Sequence, residues 1–222
     1  MSLIFEAANF GETLRRRAVS PDNAWRFADR FESRQVQARL AAKKRLAWLA
    51  FIWLVSLGVA KGAVRSGAIG AFALADISTV LLVSPLFMAM LWHDAVAMAV
   101  LENLFENLAI ACALHANAGL DVAELEALRF SGDSASAEGL FDRFVSGRAG
   151  WVFHATSLVV LTLTLWGPLA GIVHVSFLLL TSPAFNLWLR VACIVLTAIV
   201  SARTVGIAYV WLRRQPMPKI GF

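Results

Sequence analysis

Between Arg148 and Arg190 lie 41 residues, Ala149 to Leu189, with no formal charge. No water-facing surface is made of such a stretch. A single membrane-spanning helix needs about 20 apolar residues, so this run is long enough for one crossing and the start of a return. The third span is placed at 150–173. A tight outer turn or re-entrant piece is expected around His174 to Phe185, and a fourth span over Asn186 to Leu212. That fourth span carries Arg190 near its start and Arg203 toward its end.

Composition agrees with lipid as the solvent. Hydrophobic residues make up 59% of the chain and charged residues 16%. Soluble domains carry roughly 25% charged residues, and a chain of this size could not bury the excess apolar surface in one core. The first span begins after Lys43-Lys44-Arg45 and runs from Leu46 to about Val64, with Lys61 near its far end, where it can snorkel to the headgroups. The second apolar run is Gly67 to Trp92. Its one charge is Asp76, and Pro85 is expected to kink it.

Residues 93–149 change character, with three Arg against nine Asp and Glu. Here an acidic, helical cytosolic insert is expected, with a capping box at Asp121-Val-Ala-Glu124. Residues 1–45 read as a basic amphipathic segment. Ser20 caps a helix whose first residue is Pro21, and that helix lies at the membrane surface or runs on into the first span. The resulting parts are 1–45, a hairpin over 46–92, the insert 93–149, a second hairpin over 150–212 and a tail over 213–222. The fold class is an all-α integral membrane protein of about four spans in two hairpins.

Two signals orient it. Ten of the twenty Lys and Arg precede residue 46, Arg213-Arg214 follow the last span, and none lies between spans three and four. The positive-inside rule places both termini in the cytosol of a cell with an inner (plasma) membrane. Trp48, Trp92, Trp151 and Trp211 then fall at the cytosolic ends of the spans as an aromatic belt, with Trp166 and Trp188 toward the other face. The same charge distribution argues against nucleic-acid binding. The opening residues lack the order of a cleaved signal peptide, so the first span is expected to serve as an uncleaved anchor. The stretch 94–116 is apolar enough to raise the question of a fifth span, but Glu102 and Glu106 would be costly in lipid.

The candidate functional residues are polar groups in apolar surroundings. Asp76 and Arg190 both fall in the outer third of their helices, where they could form an intramembrane pair or line a polar path. Arg203 is expected to snorkel to the cytosolic face, with Glu102 or Glu106 as alternative partners. Glu102-Asn103 and Glu106-Asn107 repeat at a spacing of four, which puts both carboxylates and both amides on one helix face. That face reads as an amphipathic helix on the membrane or packed on the basic N-terminal helix. In a symmetric oligomer it would become a ring of acids, which favours cations at a pore mouth. His93, His115, His154 and His174 could pair as axial haem ligands if 94–116 crossed the membrane. Cys112 and Cys193 read as plain apolar residues, because no metal-ligand spacing exists. No nucleotide-binding, hydrolase or zinc-protease motif is present.

The expected function is non-enzymatic, with no cofactor. The chain would be an oligomeric channel-like or effector-like subunit of a membrane complex, as a homo-oligomer or with a cytosolic protein partner. The alternatives are a small secondary transporter using Asp76 and a histidine-ligated haem redox protein.

Overall fold

The computed structural model describes residues 10, 13–62, 67–69, 72–74, 78–117 and 166–214. They are helical apart from one short ribbon. Helix α1 is Pro21–Ala60. The ribbon pairs β1 (Gly67–Ile69) with β2 (Phe72–Leu74), antiparallel, with Ala68 opposite Ala73. Helix α2 is Ser78–Ala116. Helices α3 (Trp166–Thr181) and α4 (Leu187–Arg214) follow. The chain divides into two compact units, Met1–Arg39 with Val100–Thr162 and Leu40–Ala99 with Leu163–Phe222.

Helix α1 starts where the capping residues predict. The Ser20 carbonyl accepts from the Ala24 amide at 3.0 Å, and its hydroxyl accepts from the Asn23 amide at 3.4 Å. The helix then continues unbroken for 40 residues, about 60 Å at 1.5 Å per residue. The basic N-terminal segment is thus not a separate surface helix; it is the first half of the helix that carries the first apolar run. Ahead of it, a helical turn over residues 13–16 ends at Ala18, whose φ of 47° is left-handed. The amide of Val19 closes that turn on the Leu14 carbonyl at 3.2 Å.

Helix α2 departs from expectation at both ends. The second apolar run does not begin as helix at Gly67. The ribbon occupies its first residues, and helix starts at Ser78. Two of the eight residues from Gly67 to Leu74 are glycine, which weakens helix by about 1 kcal/mol each. No break separates Trp92 from His93 either, because Ala, Met, Leu and Glu from residue 95 onward are strong helix formers. The helix crosses the expected boundary and ends at Ala116. The turn expected over 174–185 is shorter and later. Helix α3 persists to Thr181, and residues 182–186 make the reversal. The first half of the expected third span and the capping box at Asp121 and Glu124 lie outside the described residues.

In the second unit, Leu49, Leu81, Met88, Ala89, Trp92, Val96, Ile172, Val175 and Ala208 form the core, drawn from all four helices. Along α2 the buried positions 81, 85, 88, 92 and 96 recur at helical spacing. Helix α4 buries a different face: Thr197, Ser201, Thr204 and Ala208. Small and hydroxylated residues let helices approach closely where lipid offers no hydrophobic contrast. The hydroxyls of Thr197 and Thr204 donate to the carbonyls of Cys193 and Val200 on the preceding turn, at 2.7 and 2.9 Å. Between α1 and α2, Ser56 Oγ donates to Ser84 Oγ at 2.8 Å. Gly171 makes room for Met88, whose Cε would stand 3.4 Å from an added Cβ.

Trp92 is 1% exposed, so it is a core residue and not a member of an interfacial belt. Trp48 and Trp188 are exposed as a belt requires. The first unit has its own core, Leu14, Ala28, Cys112 and Ala113, walled by Phe10, Val19, Phe31, Ile110 and Leu114. Phe31 stacks on Phe105 at 6.3 Å and meets Phe10 edge-on at 6.0 Å.

Two expectations follow. Replacing Ala18 by Gly should stabilise the first unit by about 0.5–1 kcal/mol, since Cβ strain in the left-handed region outweighs the added chain entropy. Ala18→Val should destabilise it, and the two variants should bracket the wild type in thermal unfolding followed by circular dichroism. In the second unit, Gly171→Leu should cost about 1–3 kcal/mol by overpacking against Met88 and Trp53, while Gly171→Ala should be nearly neutral in the same measurement.

Candidate functional site

The charges at the polar ends of α1 and α2 form the most developed polar structure among the described residues. In the first unit, Arg39 Nε donates to Glu102 Oε1 at 2.6 Å, with both side chains about one-fifth exposed (19% and 23%). Of the two surface alternatives for the acidic face, this contact realises the one packed on the basic N-terminal helix. Glu106 is exposed and also has a partner. On the same face, the Asn107 amide donates to the Asn103 carbonyl at 2.9 Å and to Asn103 Oδ1 at 3.1 Å. This amide ladder runs along one helix and leaves α2 regular.

In the second unit, Arg45 Nε donates to Asp94 Oδ2 at 2.8 Å, and its Nη1 donates to the Ala41 carbonyl at 3.1 Å. One residue before Asp94, His93 Nδ1 lies 3.1 Å from Thr204 Oγ1 on α4. The chemistry of this contact can be assigned. Thr204 has one hydroxyl proton and donates it to Val200, so its oxygen can only accept from His93. His93 therefore carries its proton on Nδ1, and Nε2 is not used in this bond.

The other histidines are placed differently. His115 Nε2 lies 3.0 Å from the Val19 carbonyl, which can only accept, so that nitrogen carries a proton and ties the end of α2 to the corner before α1. The nitrogen that would ordinarily face a haem iron is thus engaged at His115. His174 is exposed, with its ring edge-on to Trp53 at 6.4 Å. His154 lies outside the described residues, and among the described residues no group of three or more His, Cys, Asp or Glu is placed to hold a metal ion.

Arg190 does something the sequence did not suggest. Its Nη1 donates to the carbonyls of Leu180 and Ser182, both at 2.6 Å. These carbonyls end α3 and have no intrahelical donors. A guanidinium here satisfies them and opposes the negative end of the helix dipole. The same turn is held from the other side by Asn186, whose Oδ1 accepts from the Trp188 amide at 3.1 Å. Arg190 is thus a cap for the α3–α4 reversal. Asp76, its proposed partner, lies outside the described residues. Arg203 is exposed and makes no ion pair among the described residues.

Sequence reading missed Arg39, Arg45 and Asp94 as partners, and Thr204 as the acceptor for His93. The available signal was modest. Arg39 and Arg45 lie six residues apart on α1, and Asp94 and Glu102 eight apart on α2, with both sets flanking an apolar run. No family model, curated protein or solved structure matches this chain.

The Arg39–Glu102 contact predicts a coupling of about 0.5–1 kcal/mol in a double-mutant cycle with Arg39→Ala and Glu102→Ala, because the pair is only partly shielded from solvent. Additive losses would show that the pair contributes nothing. At the reversal, Arg190→Lys should be destabilising despite keeping the charge, because the shorter lysine does not carry its ammonium to the place of Nη1, which serves both carbonyls. Arg190→Met should be more so, both read as loss of the thermal midpoint in detergent.

Proposed function

We infer that the chain is a non-enzymatic, multi-pass protein of the inner (plasma) membrane that acts as an effector-like subunit, passing a cytosolic event to its lipid-embedded helices. Two helices, Thr79–Ala116 and Leu187–Trp211, are long and apolar enough to cross a membrane. The second is only 22% buried within the structure, and its outward side chains include Leu187, Val195, Ile199 and Val210. A core helix of a water-soluble protein would hide such residues, and lipid is the solvent that accommodates them. Four spans, made of the apolar part of α1, the first half of α2, α3 with its preceding apolar run, and α4, place both termini on the basic, cytosolic side.

The observation that carries the effector-like reading is the continuity of α1 and α2. Each is about 60 Å long, against a hydrocarbon thickness of about 30 Å. Each is therefore about twice as long as the lipid core is thick, and the excess on the cytosolic side carries the pairs Arg39–Glu102 and Arg45–Asp94, where a partner would act. The acidic face of α2 suits this role better than a pore mouth, since Glu102 is committed to Arg39. A cytosolic protein partner, or a second copy, is the natural source of the signal.

The topology is tested by single cysteines in a Cys112→Ala, Cys193→Ala background. Asn186→Cys should react with an impermeant maleimide in intact cells, and Ser20→Cys only after permeabilisation. Reaction of both from one side would overturn the four-span arrangement. Liposomes holding the purified chain should carry no ion current. A cation current altered by Glu102→Gln would replace the effector-like reading with the channel-like one.

A further inference from the structure

Helix α1 carries, on the part that enters the second unit, an outward face with two parallel rows. Lys44, Trp48 and Phe51 fall at spacings of four and three, so they make one ridge. Lys43, Ala47, Ala50 and Leu54 follow the same spacing one position back. All seven are exposed. Trp48 and Phe51 meet edge-on at 5.6 Å. Beside these two large side chains the two alanines, the smallest on this face, make a low strip or channel with Lys43 at its head and Leu54 at its end.

The charge at the head of this channel is not balanced within the described residues. Arg45, the third cation of the cluster, is neutralised by Asp94. Lys43 and Lys44 make no ion pair among the described residues, which leaves two positive charges side by side where the apolar run begins. From Lys43 to Leu54 is eleven residues, about 16 Å of helix, close to the half-thickness of a bilayer whose hydrocarbon core is about 30 Å.

We propose that this face of α1 is a binding site for one anionic phospholipid of the leaflet on the N-terminal side. The phosphate and headgroup charge sit between Lys43 and Lys44, and Trp48 lies at headgroup depth. One acyl chain lies over Ala47 and Ala50 against Phe51, ending at Leu54. The proposal rests on the membrane reading above. It adds a lipid class and a place. Two adjacent ammonium groups prefer a headgroup of net negative charge to a zwitterionic one, because the latter brings its own cation to the site.

The test is native mass spectrometry of the full chain, released from detergent with equal amounts of phosphatidylglycerol and phosphatidylcholine. The wild type should retain one phosphatidylglycerol in preference to phosphatidylcholine by about thirtyfold, the ratio expected if the two lysines act together at about 1 kcal/mol each near the surface. Lys43→Gln with Lys44→Gln should abolish the preference, and Lys43→Arg with Lys44→Arg should keep it. Ala50→Phe should lose the lipid while leaving every charge in place. The control, Arg26→Gln with Arg30→Gln, removes two exposed charges farther down α1 and should change nothing. Retention of the preference in the double glutamine variant, or its equal loss in the control, overturns the site. So does a lipid-free dimer that Ala50→Phe disrupts, since a second copy would then occupy the face. Failure of the membrane reading itself looks different: the wild type would leave vesicles on alkaline extraction and retain neither lipid.

Discussion

The contact between α1 and α2 sets what the rest of the second unit can do. Ser56 and Ser84 share a hydrogen bond in its interior, and Arg45 and Asp94 pair at its polar end. Between the two contacts lie ten residues on α1 and nine on α2, so the helices run antiparallel in nearly fixed register. Sliding by one turn would part the two hydroxyls and lose this bond, so the contact marks one register. With α1 and α2 held this way, Leu49, Trp92 and Met88 meet in one core, and α3 and α4 pack onto a surface already defined.

Polar groups in the apolar helices are handled mostly within a turn of where they arise. Thr197, Thr204 and Ser84 each donate to a carbonyl four residues back, and Ser56 gives its proton to Ser84 across the helix pair. Arg190 turns back onto the end of the preceding helix. His93 uses the leftover lone pair of a threonine whose proton is already committed. Such local solutions keep the helices compatible with a solvent that supplies no hydrogen bonds. They also change the meaning of these residues. A histidine or arginine inside an apolar helix draws attention as a possible ligand or coupling charge, yet His93 and Arg190 here have structural partners. Some donors stay unmatched among the described residues: the indole N–H groups of Trp53, Trp92 and Trp211, the Arg190 Nε and the Ser201 hydroxyl are buried without a partner there.

The first unit works on different terms. Its core is small and alanine-rich, and its apolar wall is three phenylalanines in sequence, Phe10, Phe31 and Phe105. The Arg39–Glu102 pair sits beside this core and is partly exposed, so it contributes less energy than specificity of pairing. That property suits the role proposed above for this region. The packing holds the helices together, and the charges can be exchanged with those of another molecule at small cost.

The helical class, the apolar runs, the start of α1 at Ser20-Pro21 and the shared face of Glu102 and Glu106 were legible in the residues alone. These follow from local properties: capping chemistry, periodicity and the solvent each residue prefers. Sequence reading misplaced the start of α2, the break expected at Trp92 and the α3–α4 turn. Helix boundaries inside continuous apolar sequence leave no local mark, since every residue there suits lipid equally. Only the tertiary structure decided that Trp92 is core and Trp48 is surface, that Arg39 meets Glu102, and that Arg190 caps a helix. Those outcomes depend on which faces of distant segments meet. Pair formation between residues 63 positions apart, as for Arg39 and Glu102, is set by the register of α1 on α2, a property of the two helices together.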